Sequence, residues 1–477
     1  MQPWLGAATA WDVYAVSQAA AATWERRREQ RLQALLAHAA QHSRVYAAAM
    51  IGGAHAVPRL QDWPVVHKQQ LMERFDDWVT DPSLTLPALR AFMSEPGRIG
   101  EPFAGRYMVW ESSGSSGVPG IFVQDPQAMQ VYDALEALRR PAQGVMQSWF
   151  NPWAAPDRLA FVGATTGHFA SVCSIERVRC LQPWLAPRMR SFSFLLPLPA
   201  LIEQLDAYRP TLLATYPSTA LMLAEEAAAG RARLRPRQIW TGGETLTPAV
   251  RHFVQATFGA SIVNSYGASE FLALACECER GALHLNSDWA ILEPVDARYQ
   301  AVQPGRFGAA TLLTNLANHV QPLIRYDLGD RVRFEPLPCA CGSPLPVIEV
   351  EGRSDDSLLL RDAHGHAVRL PPLALVTVLE DDAGVFDFQL VQCADDRLRL
   401  SIAAPGDAGR RDLRRACAVL VRFLRSRGLH GVTVEGHHGT HGVAGRSGKI
   451  ERIVAMPAPA RQRTAHGRGT EYSATGR

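Results

Sequence analysis

Apolar positions along residues 12–50 return at helical spacing. Val13, Val16, Ala19, Ala20, Leu32, Leu35 and Leu36 make apolar faces beside charged ones, which predicts amphipathic helices. Residues 62–89 read as short helices broken by Pro64, Pro82 and Pro87. The run Tyr107–Trp110 predicts a short strand that enters Glu111-Ser-Ser-Gly-Ser-Ser-Gly-Val-Pro-Gly120 directly. Residues 127–140 predict a helix with Met129, Val131, Leu135 and Leu138 on its apolar stripe. From residue 158 to 265 short apolar runs alternate with helical ones. Strands are expected at Leu159–Gly163, Thr211–Thr215, Gln238–Thr241 and Ser261–Asn264, and helices at Leu198–Ala207, Thr219–Ala229 and Thr247–Thr257. Thr247 offers an N-cap and Pro248 a first helical position for the last of these. After residue 285 the pattern is strand-rich, at Trp289–Glu293, Gly308–Leu313, Arg331–Phe334 and Val347–Val350.

This alternation predicts an α/β fold with mainly parallel sheets and a strand-rich subdomain. A chain of 477 residues exceeds one ordinary core, so more than one unit is expected. The boundary falls at Gly352-Arg-Ser-Asp-Asp356, where a strand precedes a small α+β unit. That gives a large domain over residues 1–352 and a small C-terminal domain over 353–456. Residues 457–477, rich in Pro, Arg, Gly, Ser and Thr, are expected to be a disordered tail.

Composition adds exclusions. Lys and Arg number 49 against 46 Asp and Glu, and a net charge of +3 argues against a surface that coats nucleic acid. A small-molecule partner fits better. The first 30 residues lack the order of a signal peptide, and the greasiest stretch, around Phe192–Ile202, is interrupted by Pro197 and Pro199. No membrane association and a cytoplasmic location are therefore expected. In a reducing compartment the eight cysteines should be thiols or metal ligands. Four of them are grouped as Cys276-Glu-Cys278 and Cys339-Ala-Cys341.

Four segments carry candidate chemistry. Ser112, Ser113, Gly114, Ser115, Ser116 and Gly117 form a hydroxyl- and glycine-rich turn after a strand, able to wrap an anion or to serve as a linker. It lacks the Gly-Lys-Ser/Thr ending of a P-loop. Trp240-Thr-Gly-Gly-Glu-Thr-Leu-Thr-Pro248 is a strand ending in a Gly-Gly turn before a helix, where open sheets bind ligands. Asn264-Ser-Tyr-Gly-Ala-Ser-Glu270 offers an aromatic ring, a hydroxyl and a carboxylate, suited to a purine, a phosphate oxygen and magnesium. Leu323-Ile-Arg-Tyr-Asp-Leu-Gly-Asp330 supplies a carboxylate that can accept from a ribose diol. Arg353 and Ser447-Gly-Lys449 add cations.

The order of these segments resembles the acyl-adenylate-forming superfamily, and within it the phenylacetate–CoA ligase family and its adenylate-forming relatives. The resemblance runs from His38-Ala-Ala-Gln-His-Ser-Arg-Val-Tyr46 to Lys449. It implies ATP and magnesium as cofactors, a carboxylic acid of aromatic or apolar kind as substrate, and coenzyme A as acceptor. The resemblance also leaves room for a homodimer. It implies that Ser112–Gly117 holds the β- and γ-phosphates and that Tyr216-Pro-Ser218 lines the acyl pocket, with Ala268 and Phe271 nearby. Gly242, Gly243 and Glu244 would form the adenine-side turn, and Asn264 and Gly267 would also belong to the ATP site. Tyr266 would stack on adenine, Ser269 would contact the α-phosphate, and Glu270 would hold magnesium. Asp330 would bind the ribose and Arg353 the ribose-phosphate region. Asp355 would lie at the hinge of a mobile C-terminal domain, and Lys449 would reach the reacting carboxylate. Cys278, His284, Cys339 and Cys341 match a structural zinc set in relatives, with Cys276 an alternative to Cys278. Two positions depart from the pattern. The post-hinge segment Arg361–Pro372 lacks the usual Arg-Gly start, which keeps a non-CoA acceptor (an amine, a carrier thiol or a cofactor) open, and Leu328 stands where many relatives carry Thr. A zinc-stabilised binding protein without turnover is a third reading, disfavoured by the retained Glu270, Asp330 and Lys449.

Overall fold

A computed structural model describes residues 3–19, 21–49, 59–112, 119–140, 157–351, 358–362, 364–370, 372–385, 388–402, 406–438 and 453–455. The N-terminal helices are α1 (Pro3–Ser17), α2 (Ala21–His42), α3 (Arg44–Ala49), α4 (Lys68–Glu73), α5 (Phe75–Trp78) and α6 (Leu86–Met93). Their apolar faces pack into one cluster with the antiparallel hairpin β1 (Met108–Glu111) and β2 (Ile121–Gln124) and with α7 (Pro126–Arg139). Helix α7 starts where the sequence dictates. Asp125 accepts the Ala128 N–H at 2.7 Å, and Pro126 occupies the first turn, where its missing N–H costs nothing.

The alternating region runs β3 (Leu159–Gly163), α8 (Ala170–Leu181), β4 (Met189–Ser193), α9 (Leu198–Tyr208), β5 (Leu212–Thr215), α10 (Pro217–Ala228), β6 (Gln238–Thr241) and α11 (Pro248–Phe258) into β7 (Ser261–Ala268). These five strands pair in parallel, with every residue of β3 buried. A strand covered by helices on both faces reads as a continuous apolar run, as Leu159–Gly163 does. Thr247 caps α11 through Val250 N–H at 3.2 Å, and Gly259 ends it at φ +64°.

The strand-rich region is joined to this sheet rather than set apart from it. The first half of β7 pairs in parallel with β6, and its second half pairs antiparallel with β8 (Phe271–Glu277). Then β9 (Leu283–Leu285) follows, and β14 (Val347–Glu351) and β13 (Arg331–Phe334) complete a nine-stranded sheet in the order β13-β14-β9-β8-β7-β6-β5-β3-β4. A second sheet holds β10 (Ala290–Val295), β11 (Ala310–Asn315) and β12 (Tyr326–Asp327).

Residues 358–455 form a hairpin β15 (Leu358–Arg361) and β16 (Ala367–Leu370), helix α12 (Pro372–Thr377), and a four-stranded sheet of β17 (Phe388–Ala394), β18 (Arg397–Ile402), β19 (Thr433–His438) and β20 (Ile453–Val454) backed by α13 (Gly406–Ser426). Their core is continuous with that of the parallel half of the large sheet. Thr166 donates to Asp381 at 3.3 Å, and Arg369 bonds Glu225 at 3.3 Å across this junction. The expected hinge at 352–356 and tail at 457–477 lie outside the described residues. No helix among the described residues is long and apolar enough to cross a membrane.

Candidate active site and metal knuckle

The expected site residues that are described gather where β5, β6 and β7 end at their carboxyl ends. Gly242 and Gly243 form the turn after β6. A Cβ on Gly242 would lie 3.0 Å from the Ser265 carbonyl oxygen, and Gly243 has φ +77° with Tyr216 packed 3.1 Å from where its Cβ would be. Glu244 turns back to accept from Ser218 N–H and Oγ, both at 2.9 Å, which fixes the start of α10 to this turn. Tyr216 is half-buried, and desolvation holds its hydroxyl pKa well above the ordinary tyrosine value. Thr241 donates to the Asn264 side chain at 3.0 Å, and Asn264 N–H donates to Glu277 at 2.8 Å.

The segment Asn264–Glu270 is a hairpin rather than a free loop after a strand. Strand β7 continues to Ala268, so only Ser269 and Glu270 form the turn into β8. The hairpin is distorted around Gly267, where a Cβ would sit 1.9 Å from the Leu272 carbonyl oxygen. Only glycine fits there. The distortion sets Tyr266 to donate to Asp330 at 2.8 Å, so the expected adenine-side ring and ribose-side carboxylate are held together. Trp110 Nε1 donates to the Ser269 carbonyl at 2.8 Å, tying this turn to β1.

Glu270 is buried and accepts from Tyr326 Oη at 2.8 Å. Burial raises its pKa, while the Lys68 ammonium, Tyr326 and a backbone N–H favour the carboxylate. A buried carboxylate beside the Lys68 ammonium is a hard oxygen ligand of the kind a magnesium ion takes. Lys68, on the first turn of α4, also donates to Ser112 Oγ at 3.4 Å, and Ser112 pins the two ends of its loop together through Gly120 N–H at 3.0 Å and Gly120 O at 2.8 Å. Ser112, Lys68, Glu270, Tyr326, Tyr266 and Asp330 thus form one connected group. Ser113–Gly117, Arg353, Asp355 and Lys449 lie outside the described residues.

Sequence reasoning missed Lys68. It also missed Asn315, Asn318 and Gln321, all buried. Asn315 Nδ2 donates to the Glu270 carbonyl at 2.9 Å, Asn318 Nδ2 to Val123 O at 2.8 Å and Gln321 Nε2 to Ile121 O at 3.0 Å. Asn318 and Gln321 hold strand β2, and Asn315 holds the turn at Glu270. Their signal was present in the sequence: three amides spaced by three in the mainly apolar run Leu312–Ile324.

Cys278, His284, Cys339 and Cys341 converge, with their ligand atoms all within 4.8 Å of one another. Cys278 and Cys339 sulfurs are 3.9 Å apart, close to the roughly 3.8 Å edge of a tetrahedron with Zn–S bonds of about 2.3 Å. His284 Nδ1 lies 2.8 Å from the Leu345 carbonyl, leaving Nε2 3.3 Å from Cys341 Sγ. A metal-ligating imidazole ordinarily makes such a bond from its other ring nitrogen to a carbonyl, as Nδ1 does here. Geometry selects Cys278 over Cys276, which is fully buried near Arg139 and Arg140.

Residues 187–302 match the AMP-binding enzyme family. A phenylacetate–coenzyme A ligase of Aromatoleum evansii is 28% identical over 169 residues, covering 34% of this chain and 38% of that protein. Protein CapK of Staphylococcus aureus is 24% identical over 219 residues, covering 44% of this chain and 46% of that protein. The chain therefore matches less than half the length of these curated relatives. Among solved structures, 2-hydroxyisobutyryl-CoA ligase in complex with 2-HIB-AMP and CoA aligns over 92% of this chain and 91% of its own, at 20% identity and a TM-score of 0.56.

Proposed function

We propose that this protein is an AMP-forming acid–thiol ligase: it adenylates a carboxylic acid with ATP, releases pyrophosphate and passes the acyl group to coenzyme A. The observation that carries this reading is the connected group from Ser112 through Lys68 and Glu270 to Tyr266 and Asp330. It brings a cation and a buried carboxylate to Ser112, with a hydroxyl–carboxylate pair beside them that would suit a nucleoside. The reaction brings a carboxylate against the α-phosphate, so charge must be offset at that point. Magnesium would be held by Glu270 and supply Lewis-acid charge. Lys68 would bind the polyphosphate end and Lys449 the reacting carboxylate. Asp330 would accept from the ribose, and Tyr266 would flank the base. The acid is proposed to be aromatic or apolar, from the resemblance to phenylacetate–CoA ligases. Rotation of residues 353–456 about Asp355 would exchange the two half-reactions.

A non-CoA acceptor stays a second reading because of the post-hinge segment. Strands β15 and β16 pair as a hairpin, with Arg361 bound to Asp395 at 2.8 Å and to the Gly365 carbonyl at 2.8 Å. Acid-dependent pyrophosphate release across a panel of carboxylic acids, with and without coenzyme A, tests both readings. Release that yields a CoA thioester supports the first, and release without any thioester supports the second. No release with any acid sinks adenylation.

The knuckle is proposed to hold one structural zinc. Dialysis against a strong chelator is expected to remove about one zinc per chain and lower Tm by several degrees, because metal-binding free energy is folding free energy. Protein purified without chelator that contains less than about 0.2 zinc per chain would remove this site.

A further inference from the structure

Strand β4 closes one edge of the large sheet, pairing with β3 alone among the described strands. Beside it opens a cavity of about 440 Å³, lined by Glu176 and Arg179 of α8, Met189, Arg190 and Ser191 of β4, and Tyr208 at the end of α9. Successive side chains of a strand point to opposite faces, so the cavity wraps around the sheet edge. On the α8 side Ser191 Oγ donates to Glu176 at 2.8 Å, and Arg179 Nη1 donates to the same carboxylate at 2.5 Å. On the α9 side the Arg190 guanidinium lies 4.9 Å over the Phe192 ring, whose centroid is 5.5 Å from that of Tyr208.

A third guanidinium stands nearby. Arg158 is fixed by two bonds to the Arg209 carbonyl at 2.8 and 2.6 Å, and with Arg190 and Arg179 it acts electrostatically on the Tyr208 hydroxyl. Three guanidinium groups thus stand around Tyr208, and the Glu176 carboxylate that lines the same cavity is already engaged by Arg179 and Ser191. Arg179 Nε is also buried and has no hydrogen-bond partner. An unmet buried N–H is costly, and the fork of an arginine is satisfied by two oxygens of one anion. Arginine on an edge strand can serve only to block strand addition. That role explains Arg190, but neither Arg179, which is on a helix, nor its unmet N–H.

We propose that this crevice binds the phosphoryl group of a small phosphorylated ligand, at a site separate from the nucleotide site. The two lie at opposite ends of α8. Its first turn adjoins β1 and Tyr216, through the Glu111–Phe169 bridge and the Ser171 hydroxyl, and its last turn carries Arg179. A helix of 12 residues spans roughly 18 Å.

Calorimetric titration of the full chain with inorganic phosphate and with glycerol 3-phosphate, at constant ionic strength, tests this. One saturable site per chain is expected. It should weaken at least about tenfold in Arg190→Gln, and further in the Arg179→Gln/Arg190→Gln double variant, the loss of one charge-assisted contact or more. Arg298→Gln, an exposed change elsewhere, should leave it unchanged. Tighter binding of the ester assigns the site to a phosphorylated metabolite, and tighter binding of phosphate assigns it to the free ion. Arg190 is exposed, so its variant is expected to fold and decides the matter if the double variant does not. Absence of saturable binding, or binding that Arg190→Gln leaves intact, overturns the proposal.

Discussion

Glu270→Gln is expected to cut acid-dependent pyrophosphate release by about a hundredfold or more while leaving the fold intact, the scale of losing a metal ligand or its charge. Glutamine keeps the shape and can still accept from Tyr326, which donates to Glu270 at 2.8 Å in the native protein. It removes the negative charge, which burial already disfavours. Tm should therefore stay level or rise, which separates loss of activity from unfolding. Lys68→Met provides the contrast. It removes the cation that faces both Ser112 and Glu270 and should also cost about a hundredfold, as for one electrostatic donor at a charged transition state. Raising magnesium should restore part of the Glu270→Gln activity but none of the Lys68→Met loss. The first weakens a metal site, whereas the second removes a phosphate contact. Near-normal release by Glu270→Gln at low magnesium would take the metal-binding role away from this carboxylate.

Much of this site was legible because its residues punctuate strands. The Gly-Gly turn after Gln238–Thr241 and the polar cluster after Ser261–Asn264 both interrupt apolar runs at the end of the sheet where ligands bind. The strand limits were less legible. Tyr266, Gly267 and Ala268 read as loop because glycine and polar neighbours mask strand propensity, yet pairing with β8 extends the strand through them. Lys68 could not be found by local pattern at all. It lies in His67-Lys-Gln-Gln70, a plain polar helix start, and reaches the site only because α4 packs beside the β1–β2 hairpin. The choice between Cys276 and Cys278 likewise needed three dimensions, since both precede His284 at similar spacing. The sequence suggested a boundary near residue 352, which lies outside the described residues, but not the packing of the described part of residues 358–453 onto the parallel half of the sheet, because both surfaces read simply as apolar faces.

Asp288→Ala is expected to destabilise the protein by about 3–5 kcal/mol, the cost of breaking a buried ion pair from one side. Asp288 is fully buried and meets Arg139, itself 5% exposed, in a bidentate pair at 2.6 and 2.8 Å. Arg31 of α2 approaches the same carboxylate at 3.6 Å and lies 3.5 Å over the Trp289 ring. Burial lowers the Arg31 pKa to about 10, with Asp288 the chief opposing influence. Arg31 and Arg27 also bond Asp12 of α1. One buried carboxylate therefore ties α2 and α7 to the segment before β10, with α1 joined to α2 through Asp12, and its loss leaves the nearly buried Arg139 without its charge partner. Asp288→Asn should cost less, because the amide oxygen still accepts one bond from Arg139. Asp62→Ala should change stability by less than about 1 kcal/mol, since its pair with Arg59 is largely exposed. Urea midpoints of the three variants give this ranking directly. Hydrogen exchange should show α1 and α2 losing protection first in Asp288→Ala. A loss below about 1 kcal/mol in that variant, or uniform loss of protection, would mean that apolar packing rather than this ion network anchors the N-terminal helices.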